Sequence, residues 1–190
     1  MKALEEKIIK EGKVLPGHIL KVGSFLNHKI DADFMLEMGK EIERLFEGEK
    51  ITKILTIETS GIAIAMGAAV QMHVPLVFAK KNKSGNVDGD VYKTVVHSYT
   101  HGTDYDVVVS CDYLSHDDNV LIIDDFLANG KALIGLIDIV NQSGAGLVGC
   151  CCAIEKGFQK GGDTLREKGI KVKSLAIIDS MTDDSITFRK

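Results

Sequence analysis

Residues 120–132 read Val120-Leu121-Ile122-Ile123-Asp124-Asp125-Phe126-Leu127-Ala128-Asn129-Gly130-Lys131-Ala132. The apolar, partly β-branched start suits a buried parallel strand. The strand ends on two adjacent carboxylates, Asp124 and Asp125. A loop of small residues passes through Gly130, and a helical pattern runs from Lys131 to about Val140. In that order, the loop amides and the helix start can aim several N–H groups at one phosphate. The carboxylates beside them can hold sugar hydroxyls or a magnesium-coordinated group. A phosphate and a diol held side by side define a ribose-phosphate site. An acid pair at a strand end can also merely cap a helix or face solvent. The apolar run before it and the small loop after it favour the anion site.

Around this stretch, strands and helices alternate. The pattern predicts helices over Lys2–Glu11, from the Asp31 cap to about Glu47, over Gly61–Met72 and over Asp163–Lys168. It predicts strands over Ile54–Ile57, Pro75–Ala79, Val91–Ser98, Tyr105–Ser110, Ala145–Ile154, Val172–Ile178 and Ile186–Phe188. Val14 to Val22 is short and mixed, broken at Pro16-Gly17. Lys80 to Gly89 reads as a mobile polar loop, and a turn falls near His101-Gly102. The alternation predicts an α/β fold around a largely parallel sheet. Ligands of such sheets sit at the carboxyl ends of the strands, where Asp124, Glu58 and Glu155 all fall.

Bulk properties narrow the class. A chain of 190 residues forms one domain, residues 1–190, that buries roughly two-thirds of its unfolded surface. A net charge of −4 argues against a general nucleic-acid binder. No apolar run reaches membrane-spanning length, and Met1 to Glu11 lacks the apolar core of a signal peptide. A cytoplasmic protein is expected. Cys150, Cys151 and Cys152 are consecutive, so on a strand they alternate sides and cannot converge on a metal. They read as small apolar residues of a reduced protein, with a redox or metal role as the minor alternative.

The 120–132 run resembles the phosphoribosyl pyrophosphate (PRPP) motif of the type I phosphoribosyltransferases: apolar tetrad, both acids, glycine and helix start all match. The run Ile19-Leu20-Lys21-Val22-Gly23-Ser24-Phe25-Leu26-Asn27-His28 and the run Ile154-Glu155-Lys156 resemble the purine-salvage members that take xanthine. The resemblance spans nearly the whole chain. It implies a largely parallel central sheet flanked by helices, with a small hood contributed by about 1–30 and 155–190. It further implies a homodimer, and a transferase that converts xanthine and PRPP to xanthosine 5′-monophosphate and diphosphate. Mg2+ would arrive with PRPP, with no metal ligands from the protein alone.

Roles follow from the same resemblance. Asp124 and Asp125 fall to the ribose hydroxyls, where carboxylates stabilise the positive charge that builds as diphosphate leaves C1. Ala128, Asn129, Gly130, Lys131 and Ala132 cradle the 5′-phosphate, with Asn129 adding a side-chain donor. Thr59 and Ser60, in Glu58-Thr59-Ser60-Gly61, match the diphosphate loop, where one peptide is often strained; a helix cap is the alternative. Lys80 and Lys81 match basic residues facing diphosphate, or else begin a solvated charge run. The loop at 82–89 would close over the site. Leu20, Asn27 and Lys156 match positions lining the base, and Phe158 can stack on it. Members acting on hypoxanthine or guanine usually carry a third acid at the position of Ala128. Alanine excludes proton removal by that side chain. Guanine or hypoxanthine as the base, or a PRPP-sensing nucleic-acid-binding regulator on the same fold, are the rival readings. The regulator would want a basic face or an added domain.

Overall fold

The computed structural model describes residues 1–81, 89–98, 103–182 and 185–189. Within them the chain runs α1 (Lys2–Glu11), β1 (Lys13–Leu15), β2 (Ile19–Lys21), a π-helical turn (Gly23–Asn27), α2 (Ala32–Leu45), β3 (Lys53–Ile57) and α3 (Gly61–Met72). There follow β4 (Leu76–Lys81), β5 (Val91–Ser98), β6 (Thr103–Ser110), a 3-10 turn (Cys111–Tyr113), β7 (Asn119–Leu127) and α4 (Lys131–Ser143). The rest is β8 (Gly146–Lys156), a second 3-10 turn (Gly157–Gln159), α5 (Gly161–Glu167), β9 (Val172–Met181) and β10 (Ile186–Phe188).

Eight strands form one sheet in the order β10-β9-β8-β7-β3-β4-β6-β5. The five inner strands, β9 to β4, pair in parallel. The β4–β6, β5–β6 and β9–β10 pairs are antiparallel. Strands β1 and β2 form a separate antiparallel hairpin, so the mixed 14–22 segment resolves into a ribbon around Pro16-Gly17. Strand alternation sends side chains to two cores. Ile54, Leu121, Ile123 and Cys151 pack with α1, α2 and α3. Leu55, Val120, Ile122, Cys150 and Cys152 pack with α4, α5 and β6. The consecutive cysteines thus divide between the two faces, all buried and unbonded. Burial pushes the Cys150 thiol up to about 12 and the other two thiols upward as well.

Local chemistry sets the helix limits. The Asp31 carboxylate accepts from the Phe34 N–H at 3.3 Å and caps α2. Lys7 of α1 donates to the same carboxylate at 2.8 Å, tying α1 to that cap. Gly144 ends α4 with φ +74°. Helices α2 and α3 cross at a glycine pair. A Cβ at Gly39 would sit 2.3 Å from the Gly67 carbonyl oxygen, and one at Gly67 2.3 Å from the Met35 carbonyl oxygen. Backbone atoms cannot rotate aside. Gly67→Ala should therefore cost about 3 kcal/mol in overpacking against about 1 kcal/mol gained in helix propensity. A thermal melt is expected to show a Tm lower by about 4–8 °C; an unchanged or higher Tm would mean that the helices part without cost.

Strands β8 and β9 run further than the pattern predicts, to Lys156 and Met181, while α5 starts two residues earlier. Lys80 and Lys81 end β4 rather than opening a loop. The turn near His101-Gly102 and the loop at 82–88 lie outside the described residues. Among the described residues no helix is long and apolar enough to cross a membrane.

Candidate active site

From β3 the chain crosses to β4 on one side, while β7 leads to β8 and β9 on the other. Neighbouring strands whose connections diverge leave a crevice at their carboxyl ends, where such sheets take ligands. The segments after β3 and β7, residues 58–60 and 128–130, flank that crevice.

On the β3 side, the Glu58–Thr59 peptide is cis. The Glu58 carboxylate accepts from the Lys81 N–H at 2.5 Å, fastening this segment to the end of β4. Thr59 is exposed and Ser60 half-buried. Ser60 stands at the N-cap of α3 with no side-chain capping bond, so the capping alternative is not used. Gly61 packs on the acid pair: a Cβ there would lie 3.1 Å from Asp124 Oδ1 and 2.3 Å from Thr56 Oγ1. The Thr56 hydroxyl is buried beneath it and has no hydrogen-bond partner among the described residues.

On the β7 side, Gly130 turns the chain with φ +82°, which suits glycine. The Ile134 N–H donates to the Gly130 carbonyl at 2.9 Å and opens α4. Asn129 is exposed, and its Oδ1 accepts from the Lys131 N–H at 3.1 Å. Its amide NH2 is left as the donor that could meet an anion. Ala128, Lys131 and Ala132 are half-buried along the same bend. The N-terminus of the 13-residue helix α4 carries orphan N–H groups and the positive end of its dipole.

Between the two segments lie the acids, side by side at the end of β7. Asp124 is 5% exposed, and its Oδ1 accepts from the Asp125 N–H at 2.9 Å. Burial, and then the neighbouring Asp125, holds the Asp124 carboxyl well above the usual carboxylate range; Lys81 pulls it the other way. Asp125 is more open, and Asn27 Nδ2 donates to its Oδ2 at 3.5 Å. The Lys81 ammonium stands 5.4 Å from the ring of Tyr105, whose hydroxyl is pushed up by burial and by Asp124. Lys80 is not with this group. It lines a cavity of about 740 Å³ beside Phe78 and Tyr113.

Beyond Asp125 the remaining predicted residues gather. Lys156 Nζ donates to the His18 carbonyl at 2.9 Å and lies 5.8 Å from the centre of the Phe126 ring. Burial lowers its pKa. The Phe158 ring stands 5.4 Å from that of His18, whose Nδ1 meets the Met181 carbonyl at 3.2 Å. Leu20 is buried on β2, next to this corner. The β1–β2 turn thereby bridges to the ends of β8 and β9.

Two residues of this pocket, Phe126 and His18, escape sequence reading. Phe126 looks like one more apolar strand residue, and His18 contributes its backbone carbonyl, which no side-chain pattern reports. One expectation is corrected. Glu155 does not offer its carboxylate to the sheet edge with Asp124 and Glu58. It is fully buried and paired with Arg166 at 2.9 and 2.6 Å. A carboxylate so deep requires such a partner. Among the described residues, no group of three or more His, Cys, Asp or Glu is placed to hold a metal.

A crevice with an amide-rich bend, an acid pair and an aromatic–lysine corner in series is a phosphoribosyl-transfer architecture. The chain belongs to the phosphoribosyl transferase domain family, whose model matches residues 30–185. It is 56% identical over 191 residues to a xanthine phosphoribosyltransferase of Lachnoclostridium phytofermentans, covering 100% of this chain and 98% of that protein. It is 50% identical over 190 residues to the xanthine phosphoribosyltransferase of Clostridioides difficile, covering 100% of both. Among solved structures, it is similar to the adenine phosphoribosyltransferase of Giardia lamblia complexed with 9-deazaadenine. There the TM-score is 0.78 at 21% identity, over 94% of this chain and 98% of that one. The Trypanosoma brucei adenine enzyme gives a TM-score of 0.76 at 20% identity, over 92% and 78%. The fold is that of the type I phosphoribosyltransferases, as the 120–132 motif leads one to expect.

Proposed function

We propose that this enzyme transfers the phosphoribosyl group of PRPP to xanthine, forming xanthosine 5′-monophosphate and releasing diphosphate. The observation that carries the reading is the series along one sheet edge: the 128–132 bend, then Asp124 and Asp125, then Lys156 with Phe126 and Phe158. Full-length relatives named for xanthine support the choice of base. The bend takes the 5′-phosphate through backbone N–H groups and the Asn129 amide. The more open Asp125 accepts from a ribose hydroxyl, and Asp124 beneath adds negative charge near the ring. As the C1–O bond to diphosphate breaks, positive charge spreads over the ribose, and these acids stabilise it more than they stabilise the ground state. Thr59, Ser60 and Lys81 receive the diphosphate, which brings Mg2+ as part of the substrate. Lys80 lies on the neighbouring position of β4 and lines the cavity beside Phe78 and Tyr113.

At the base, the Lys156 ammonium donates to a purine carbonyl oxygen while the aromatic rings pack on the purine faces. Asn27, already within reach of Asp125, stands where ribose and base meet and offers both donor and acceptor to the 2-oxo edge. The segments 1–30 and 155–190 form the hood over this end. The working unit is a cytoplasmic homodimer within purine salvage.

Initial rates with PRPP, Mg2+ and a panel of xanthine, guanine, hypoxanthine and adenine test the reading. Xanthine is expected to lead in kcat/KM by about 100-fold, since a site built to hydrogen-bond an oxo group leaves unpaired donors with bases lacking it. Guanine or hypoxanthine in the lead would displace xanthine. Binding of PRPP without turnover would replace the enzyme by a sensor. Asn27→Ala should narrow the preference for xanthine while leaving KM for PRPP within about twofold. An equal loss on every base would make Asn27 a structural residue.

A further inference from the structure

Helix α5 lies against two things at once. On one side, Gly161 abuts the phosphate bend: its N–H donates to the Ala128 carbonyl at 3.1 Å. A Cβ on Gly161 would come within 2.3 Å of that carbonyl oxygen and 2.6 Å of the Gly130 nitrogen. On the other side, a Cβ on Gly162 would reach within 2.1 Å of Glu155 Oε1. The helix is thus wedged between the bend and the buried carboxylate of β8.

The carboxylate and the helix are fastened to one another. Arg166 of α5 forks onto both Glu155 oxygens at 2.9 and 2.6 Å, and Ser174 Oγ of β9 donates to Oε2 at 2.5 Å. Arg166 also meets Asp163 at 3.1 Å, and Asp163 accepts from Arg189 at 3.1 Å. A bidentate guanidinium–carboxylate pair fixes angle as well as distance. No member of this pair lies in the crevice, and the transfer reaction makes no use of either charge.

We infer that Glu155 and Arg166 are positioning residues: their pair sets how far α5 stands from β8, and Gly161 thereby buttresses the 128–130 bend in its phosphate-receiving shape. This rests on the assignment of residues 128–132 to the 5′-phosphate. Misplacement of a binding group by about 1 Å costs on the order of 100-fold, so a loosened buttress should act on phosphate affinity far more than on the base.

The test compares wild type with Gly161→Ala and with the double change Glu155→Met, Arg166→Met. The double change removes both charges together, so neither is left buried and unpaired. Titration calorimetry with ribose 5-phosphate is the first readout. Separate KM values for PRPP and xanthine are the second. Both variants are expected to raise the ribose 5-phosphate Kd and the PRPP KM about tenfold or more, with xanthine KM within about twofold. Gly67→Ala, which loosens the α2–α3 crossing away from the 128–132 bend, serves as the control and should leave the ribose 5-phosphate Kd unchanged. Wild-type affinity in either folded variant, or an equal rise in both KM values, would overturn the inference. Should the double change prevent folding, Arg166→Lys, which keeps the charge and gives up the bidentate fork, takes its place with the same expected rise. Failure of the wild-type protein to bind ribose 5-phosphate at 128–132, read from the Gly130 amide resonance, would instead overturn the parent reading and this one with it.

Discussion

Asp124→Asn is expected to stop turnover and, at the same time, to make the protein harder to melt at neutral pH. Its kcat should fall by about 100- to 1,000-fold, the usual loss when one preorganised electrostatic partner of a developing charge is removed. The stability gain follows from linkage. Asp124 is buried, and burial together with Asp125 raises its folded pKa above the ordinary aspartate value. Below that ordinary value both folded and unfolded chains are protonated there, so no cost arises. As pH rises through it, the unfolded chain releases its proton first while the folded chain retains it. Stability therefore falls across the interval up to the raised pKa. At neutral pH the wild-type protein carries this cost, and the asparagine variant does not. The variant's amide oxygen can still accept from the Asp125 N–H. Each kcal/mol recovered raises Tm by about 2–4 °C for a chain of this size. Melts at pH 4 and pH 7 should show the variant's advantage only at pH 7. A lower Tm at pH 7 would show that the buried carboxylate stabilises the fold. Asp125→Asn, at a more open position, should lose turnover with little change in Tm.

Lys156→Met should act at the other end of the crevice. A hydrogen bond from a charged group contributes about 1.5–3 kcal/mol, so kcat/KM for xanthine is expected to drop roughly 10- to 100-fold. KM for PRPP should hardly move, because the bend at 128–132 is separate. Burial lowers the Lys156 pKa, so the ammonium gives up its proton at a pH where an exposed lysine still holds its own. The wild-type rate should therefore decline on the alkaline side earlier than an ordinary lysine would dictate. The methionine variant, lower throughout, should lose that limb. Identical alkaline profiles in the two proteins would place the ionisation elsewhere.

The parts legible in the sequence are those that local chemistry dictates. The 120–132 run announces strand, bend and helix because each depends on residues within a few positions. α3 and β10 fall at their predicted limits for the same reason. The cysteine triplet divides between two cores because alternation is a property of any strand. Long-range pairing is less accessible. Glu155 stands at a strand end as Asp124 does, and only the approach of Arg166, eleven residues on, turns it inward. Lys80 and Lys81 look equivalent until β4 extends through both and puts them on opposite faces. The Lys156 corner depends on a hairpin carbonyl 138 residues away, and backbone groups leave no trace in a side-chain pattern.

The sealed thiols of the central sheet have a practical meaning. Cys150, Cys151 and Cys152 are buried and held protonated, while Cys111 is only half-buried. An alkylating reagent can reach the triplet only when the sheet opens, because reaction needs the thiolate and a path to it. The chain therefore carries its own tally of global opening events, written as modified sulfur, with Cys111 as the internal reference that reacts from the closed molecule.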